Sequence, residues 1–284
     1  MRFKGFHHAG NAYWLLVAPL LVLVIALYAW PVANVLWLSV SDPQPGLQNY
    51  GLLVTQPLLG RILWTTVRIC IITTLVSVAL GYLIAYAMVH LAHRERIWML
   101  TLVLVSFWVS ILVRAFAWLT LLGRNGLVNA ALVGSGLTDE PVPLVRNEFG
   151  VLIGMVHYMV PYAVLPLFVN MQGLDQRIMN ASRSLGAGPL RTFGRIYLPL
   201  TMPGIFAASL LVFIVSLGFY VTPALLGGGR VLMVAEYVSV QVLVTVQWGT
   251  ASMLATLLLV GVLALTYILS RFMNLGEAFG GGRA

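Results

Sequence analysis

Long apolar runs are the feature of this sequence that most restricts its fold. Six such runs are separated by shorter segments that hold nearly all of the charges. An α-helix needs about 20 apolar residues to cross the hydrocarbon core of a bilayer. Backbone groups in lipid must be hydrogen-bonded within their own segment, so each run is expected to be a helix. The sequence therefore predicts an all-α membrane protein with six transmembrane helices.

The predicted spans form one transmembrane domain that covers residues 1–284. Their approximate bounds are 15–40, 62–91, 97–122, 151–171, 197–226 and 252–272. A shorter apolar segment, 231–248, is interrupted by Glu236, Gln241 and Gln247, which indicates a short interfacial or re-entrant helix.

Charge is scarce, and this scarcity identifies the solvent for most of the surface. Only 8% of the 284 residues are charged, and 60% are hydrophobic. A soluble domain carries about 25% charged residues, so this chain has too few to cover a surface in water. The net charge of +8 would suggest nucleic acid as a partner of a soluble protein. Here the basic residues lie between apolar spans, so we expect a topological role and no nucleic-acid binding.

The distribution of basic residues predicts the side of the membrane that each loop faces. If the N-terminus is cytoplasmic, ten of the sixteen Arg and Lys residues lie in cytoplasmic segments and four lie in outer loops. The ten are Arg2, Lys4, Arg94, Arg96, Arg177, Arg183, Arg191, Arg195, Arg271 and Arg283. The four are Arg61, Arg124, Arg146 and Arg230. Because basic residues are enriched on the cytoplasmic side, both termini and the loop 174–196 are predicted to be cytoplasmic.

The loop after the fourth span has the chemistry of two short helices joined by a corner. Asp175 is a predicted N-cap for a helix over 176–185, and Gly186 suits the left-handed residue that ends such a helix. Pro189 suits the first turn of a second helix that runs to about Tyr197. A short helix with exposed apolar side chains fits the groove of a partner protein. The apolar residues expected to be exposed are Ile178, Met179 and Leu185.

This loop resembles the cytoplasmic loop by which permease subunits of type I ABC importers contact their ATPase. That family carries Glu-Ala-Ala, three residues, Gly, nine residues and then Ile-x-Leu-Pro. The corresponding residues here are Asn180-Ala181-Ser182, Gly186, and Ile196, Leu198 and Pro199, and five of the seven places match. The departures are Asn180 and Ser182, which stand in the places of the Glu and the second Ala. Asn180 removes the carboxylate that an ion pair with the ATPase would use.

Other segments resemble the spermidine/putrescine-type branch of these permeases. They are Phe107-Trp108, Leu112-Val113-Arg114, residues 121–129, Leu185-Gly186-Ala187, Thr192-Phe193 and residues 216–228. The resemblance implies the type I ABC importer permease fold, a multi-pass location in the bacterial inner membrane, and one half of a path for a small organic solute. A polyamine such as spermidine or putrescine is the expected solute. Members of the branch also carry aminobutyrate-like amines, amino acids or opines, phosphonates and iron, and these alternatives stay open.

The resemblance also implies partners and contact residues. The partners are two ATPase subunits, a second permease chain expected to differ from this one, a periplasmic substrate-binding protein and the lipid bilayer. The implied ATPase-contacting coupling helix comprises Ile178, Met179, Asn180, Ala181, Ser182, Arg183, Leu185, Gly186 and Ala187. The sequence has no nucleotide-binding loop, and Lys4 is its only Lys. ATP and Mg²⁺ are therefore expected on the ATPase, and no cofactor, metal or catalytic residue is expected in this chain.

Two arginines within the spans are candidates for the translocation path. Arg68 and Arg114 lie roughly 10–12 Å below the outer surface, given a helical rise of about 1.5 Å per residue. Intramembrane charges face a bundle interior or water, or pair with an acid, and Glu148 and Asp42 are the acids considered. A Gly and a Pro near the end of the fifth span predict a broken helix of the kind that lines cavities. The path candidates are Arg68, Arg114, Ser216, Phe219, Tyr220 and Thr222.

Two other classes of membrane protein are weaker alternatives. An intramembrane enzyme needs converging catalytic groups, and the predicted spans contain no Asp or Glu. A stand-alone channel works without a docking loop. The sequence therefore favours a transport subunit, not an enzyme, and co-purification with an ATPase and a second permease would separate the classes.

Overall fold

A computed structural model of the chain describes residues 9–272. Within that range the chain forms helices and no β-strands. The helices are α1 (Ala9–Val24), α2 (Trp30–Ser41), α3 (Gln48–Thr55), α4 (Pro57–His90), α5 (His93–Trp108), α6 (Ile111–Leu122), α7 (Leu127–Gly134), α8 (Glu148–Gln172), α9 (Gln176–Ser184), α10 (Pro189–Thr192), α11 (Leu198–Leu217), α12 (Val234–Leu243) and α13 (Trp248–Phe272). Three π-helical segments supplement them: Ile25–Ala29, Phe193–Tyr197 and Pro223–Gly227. The predicted all-α class is confirmed.

Six helical stretches in the described range are long and apolar enough to cross a membrane. They are Val17–Ser41, Pro57–His90, Ile111–Gly134, Glu148–Gln172, Pro189–Leu217 and Trp248–Leu269. The predicted number of spans is confirmed. The short apolar helix expected between the fifth and sixth spans is α12. The two chain termini, whose cytoplasmic placement is predicted, lie outside the described residues.

The third predicted span is not one continuous helix. α5 ends at Trp108 and α6 begins at Ile111, and between them Val109 and Ser110 have extended backbones with ψ of 126° and 137°. The guanidinium of Arg114 donates through Nη2 to the carbonyl of Val109 at 2.8 Å. This bond satisfies a carbonyl group that the break leaves without a helical partner.

Contacts within the chain divide it into two compact units. One consists of Met1–Gln56 and Val238–Leu259, and the other consists of Pro57–Tyr237 and Val260–Ala284. The single membrane domain expected from the sequence stays a prediction. In the larger unit, α4, α8 and α11 pack against one another and form the core.

Glycines bring the core helices of the larger unit close together. A Cβ atom built on Gly81 of α4 would lie 2.8 Å from the Cβ of Ala163 in α8. A Cβ built on Gly154 of α8 would lie 2.6 Å from Cγ2 of Thr222. Helices in lipid associate through close packing because burial of apolar surface supplies no driving force there. These glycines therefore set the spacing of the core.

The smaller unit is organised by polar contacts at the N-terminus of α13. The carboxylate of Asp42 accepts a hydrogen bond from the backbone N–H of Gly249 at 2.7 Å. The side chain of Asn49 donates to the carbonyls of Ser39 and Asp42 at 3.1 and 2.7 Å. A carboxylate at this position satisfies a free N–H group and interacts favourably with the helix dipole. Asp42 therefore caps a helix.

The start of α12 is fixed on α4 by a buried hydroxyl. Thr66 Oγ1 accepts from the backbone N–H of Val234 at 2.9 Å and donates to the carbonyl of Ile62 at 2.8 Å. The third residue of α12, Glu236, is buried, and its Oε2 atom has no hydrogen-bond partner among residues 9–272. Burial raises the pKa of Glu236 to about 7, against a smaller opposing effect of a hydrogen bond with the backbone of Met233.

The raised pKa of Glu236 predicts that the folded protein loses stability as the pH rises. The folded state binds the proton more tightly than the unfolded chain, so this contribution to stability is full below the ordinary glutamate pKa and is lost as the pH rises from there through about 7. We expect the melting temperature in detergent to fall between about pH 5 and pH 8, and to fall less in Glu236→Gln. The exposed Asp139 supplies the control variant Asp139→Asn, which should keep the full dependence. Equal pH profiles for all three proteins would contradict this assignment.

Candidate docking element and translocation path

The loop after α8 begins with a capped helix. The side chain of Asp175 accepts from the backbone N–H of Arg177 at 2.8 Å, which is the N-cap predicted from the sequence. The helix that follows, α9, ends at Ser184, one residue earlier than predicted. Residues 174–197, which comprise α9, α10 and the turns around them, are called the docking element below.

A left-handed glycine forms the corner of the docking element. Gly186 has φ of +81°. The backbone N–H of Ala187 donates to the carbonyl of Ser182 at 3.2 Å, and the N–H of Gly186 donates to that of Arg183 at 2.9 Å. These two bonds form a Schellman motif, which needs a left-handed residue at the position of Gly186. Pro189 then starts α10, as predicted.

A pair of buried hydroxyl groups ties α9 to α10. The Oγ of Ser182 and the Oγ1 of Thr192 are 2.9 Å apart, and both side chains are buried. Ser182 stands in the place where the resembled motif has its second Ala. The extra hydroxyl is therefore satisfied within the docking element and is not exposed to a partner.

The exposed surface of α9 differs in one respect from the prediction. Ile178 is 44% exposed and Leu185 is 88% exposed, as expected, but Met179 is only 8% exposed and packs inside the chain. The side chains of Asn180, Ala181 and Arg183 are exposed, and Ala187 is half-buried. Leu190 of α10 is 87% exposed and was not anticipated. The exposed large apolar side chains of the docking element are therefore those of Ile178, Leu185 and Leu190.

The second helix of the docking element continues into the membrane. α10 is followed directly by the π-helical segment Phe193–Tyr197 and then by α11. Tyr86 of α4 contacts this segment, with ring centroids 5.9 Å from Phe193 and 5.4 Å from Tyr197. The hydroxyl groups of Tyr82 and Thr201 lie 3.1 Å apart and join α4 to α11. The docking element is thus continuous with one core helix and in contact with another.

Two helix breaks meet α8 at a group of aromatic side chains. Phe219 lies in the non-helical turn after α11, and its ring centroid is 4.6 Å from that of Tyr158. Tyr158 stacks on Tyr162 at 5.7 Å, and Tyr162 contacts Phe107 of α5 at 4.8 Å. The guanidinium carbon of Arg114 lies 4.3 Å from the centre of the Tyr158 ring. Phe107, Arg114, Tyr158, Tyr162 and Phe219 are called the Tyr158 cluster.

The two intramembrane arginines have different surroundings. Arg68 forms an ion pair with Glu148 at the first residue of α8, which is one of the two pairings considered from the sequence. Arg114 forms no ion pair with the residues that the structure describes. Its polar contacts there are the carbonyl of Val109 and the face of Tyr158. Arg68 is therefore electrically compensated, and Arg114 is not.

The other path candidates lie around the break at the end of α11. Ser216 is fully buried, and its Oγ has no hydrogen-bond partner within the described part of the chain. Thr222 is buried against Gly154. Tyr220 is 45% exposed. Only Arg114 and Phe219 among the six candidates take part in the Tyr158 cluster.

Sequence reasoning did not identify Tyr158 and Tyr162. The two tyrosines are four residues apart in α8 and therefore share one face of the helix. That spacing was the available signal, but an apolar span with several aromatic residues offers many such pairs. The helix breaks that place Phe107, Arg114 and Phe219 against them become evident only in three dimensions.

Comparisons with known proteins agree with the family that the sequence resembles. Residues 77–274 match the family described as binding-protein-dependent transport system inner membrane component. The spermidine/putrescine transport system permease protein PotB of Haemophilus influenzae is 31% identical over 257 residues, which cover 90% of this chain and 88% of that protein. The protein of the same name from Escherichia coli K12 is 34% identical over 231 residues, which cover 80% and 84%.

A solved structure extends the comparison to the fold. The match is a chain in the crystal structure of a bacterial alginate ABC transporter in complex with an alginate pentasaccharide-bound periplasmic protein. The TM-score is 0.74 at 16% identity, and the match covers 94% of this chain and 96% of that one. The proteins matched by sequence and by structure are transport components, not enzymes. Since the family model covers more than half of the chain, this protein belongs to the inner-membrane permease components of binding-protein-dependent ABC importers.

Proposed function

We propose that this chain is one of two permease subunits in an ATP-driven importer of polyamines. The observation that carries the substrate class is the similarity to two spermidine/putrescine permease proteins over at least four fifths of the chain. The chain forms half of the translocation path, and its two termini and docking element lie in the cytoplasm. A second, different permease forms the other half, and a periplasmic binding protein delivers the substrate to the outer loops.

The docking element couples this path to a separate ATPase. Ile178, Leu185 and Leu190 present exposed apolar side chains, beside the exposed Asn180 and Arg183, to a groove on the ATPase. ATP and Mg²⁺ bind to two ATPase subunits, and closure of that pair pushes the docking elements of the two permeases together. Because α10 continues into α11 and its π-helical extension contacts Tyr86 of α4, the push reaches two core helices.

An amine that also carries a carboxylate, such as an aminobutyrate-like compound, is the second candidate substrate. Arg114 favours it, because a guanidinium without an ion pair in the described chain is a ready partner for a carboxylate. A polyamine offers no such group. An aminobutyrate-like substrate would therefore pair with Arg114, whereas a polyamine would not.

Reconstitution tests the proposed function. The tagged chain is purified from its native membrane with the ATPase and second permease that accompany it, and the complex is placed in proteoliposomes with the binding protein. We expect uptake of labelled putrescine or spermidine that requires both ATP and the binding protein. Vesicles that contain ADP are the control. ATP-dependent uptake of 4-aminobutyrate without uptake of either polyamine would favour the second candidate, and isolation of the chain without an ATPase would contradict the coupling role.

A further inference from the structure

The Tyr158 cluster has the composition of a cation-binding site. The faces of aromatic rings attract cations, and a guanidinium or ammonium within about 6 Å of a ring centre benefits from this attraction. Tyr158 has Tyr162 stacked at 5.7 Å and Phe219 at 4.6 Å, so three aromatic rings meet at one point of the membrane domain. Tyr158 itself is half-buried.

In the structure, the cation on this ring face is the guanidinium of Arg114. Arg114 places its guanidinium carbon 4.3 Å from the centre of the Tyr158 ring. Its Nη2 donates to the carbonyl of Val109, but its Nε atom is buried and lacks a hydrogen-bond partner in residues 9–272. An unsatisfied buried donor is costly. Arg114 is thus held by a ring face and one carbonyl, without the carboxylate that holds Arg68.

Arg114 and Phe219 both lie at or beside an interruption between helices, after α5 and after α11. Arg114 lies in the first turn of α6, and its backbone N–H donates to the carbonyl of Ser110 in the break after α5. Phe219 lies in the break after α11. Interrupted helices in transporters surround substrate sites, because irregular backbone is tolerated where it lines a cavity. Movement at either break changes the Tyr158 cluster without unwinding a helix.

We propose that Tyr158 is the ring that binds an ammonium group of the substrate inside the path, and that Arg114 occupies this ring as an internal placeholder until the substrate arrives. The inference rests on the proposed polyamine import. The substrate ammonium displaces the guanidinium from the ring. When no substrate is bound, the guanidinium of Arg114 occupies the ring face. An internal competitor lowers the apparent affinity for substrate in proportion to the fraction of time it occupies the site.

Fluorination of the ring at position 158 tests the first half of the proposal. Tyr158→Phe and Tyr158→3,4,5-trifluorophenylalanine have nearly the same shape, but fluorine withdraws electron density from the ring face. In the reconstituted importer that also carries Arg114→Gln, where no guanidinium competes for the ring, we expect the KM for putrescine to be about three- to tenfold higher with the fluorinated ring than with Phe. Binding-protein-stimulated ATP hydrolysis, which reports assembly, should be equal for the two variants. Equal KM values would overturn the assignment of Tyr158.

Arg114→Gln tests the second half. Removal of the placeholder is expected to lower the KM for putrescine several-fold in the Tyr158→Phe background and to have a much smaller effect with the fluorinated ring. A loss of putrescine uptake in Arg114→Gln, with ATP hydrolysis retained, would overturn the placeholder role. If the complex with Arg114→Gln does not assemble, the uncharged variant Arg114→Met replaces it, and a KM unchanged by that replacement in both backgrounds would also overturn the role. Absence of polyamine uptake by the unmodified complex would instead contradict the proposed substrate itself.

Discussion

Gly186→Val is expected to reduce ATP-driven uptake by about tenfold or more while the spans stay inserted. Gly186 has φ of +81°, and a Cβ built on it meets no other atom within 4 Å. The penalty is therefore one of backbone conformation, and a left-handed backbone costs an L-residue about 1–2 kcal/mol, with β-branched residues at the upper end. Loss of the corner releases the bonds that set α9 against α10, so the docking element loses its shape at the ATPase surface.

Gly188 provides a matched control for this substitution. It lies two residues away, and its built Cβ also meets nothing within 4 Å. Its φ of −67° and ψ of 163° lie in the β region, which is allowed for valine. Gly188→Val should therefore transport at the normal rate. Gly186→Asn should fall between the two, because Asn tolerates the left-handed region better than other residues. Uptake and ATP hydrolysis are measured together in proteoliposomes, and equal uptake by Gly186→Val and Gly188→Val would remove the corner from the mechanism.

The docking element was largely predictable because its chemistry is local. Asp175, Gly186 and Pro189 each act on backbone groups within five residues, and the structure places all three as expected. The burial of Met179 was not predictable in this way, since it depends on which side of α9 faces the rest of the chain. The exposure of Leu190 depends on the same orientation.

The pairing of the intramembrane charges required the fold. Sequence reasoning left Glu148 and Asp42 as alternative partners of Arg68. The structure pairs Arg68 with Glu148, 80 positions away, and places Asp42 at the N-terminus of α13. Long-range contacts of this kind follow from helix packing, which the apolar runs alone do not specify.

The break between α5 and α6 is the largest difference between sequence and structure. Val109 and Ser110 are neither Gly nor Pro, so the local sequence carries no sign of it. The break is supported by Arg114, five residues further along the chain, whose side chain donates to the carbonyl of Val109. This break and the break after α11 place Arg114 and Phe219 against Tyr158, so the Tyr158 cluster was not predictable from the local sequence.

Gly81→Ala is expected to destabilise the core by about 1–3 kcal/mol, the usual cost of forcing one extra methyl group into a packed interface. The built Cβ lies 2.8 Å from the Cβ of Ala163 and 3.3 Å from two backbone atoms of α8. Alanine favours a helix over glycine by only about 1 kcal/mol. The clash is therefore expected to outweigh this gain, and the variant should be less stable than the unmodified chain. The melting temperature of the purified protein in detergent measures the effect.

Gly60→Ala separates packing from helix propensity, because Gly60 lies in the same helix and its built Cβ meets nothing within 4 Å. That variant should be at least as stable as the unmodified chain. Ala163→Gly combined with Gly81→Ala moves the methyl group from one helix to the other, so the pair should recover most of the lost stability. A non-additive pair is the expected signature of two residues in contact. If Gly81→Ala is as stable as Gly60→Ala, then α4 and α8 are not close enough for a Cβ on Gly81 to clash with Ala163.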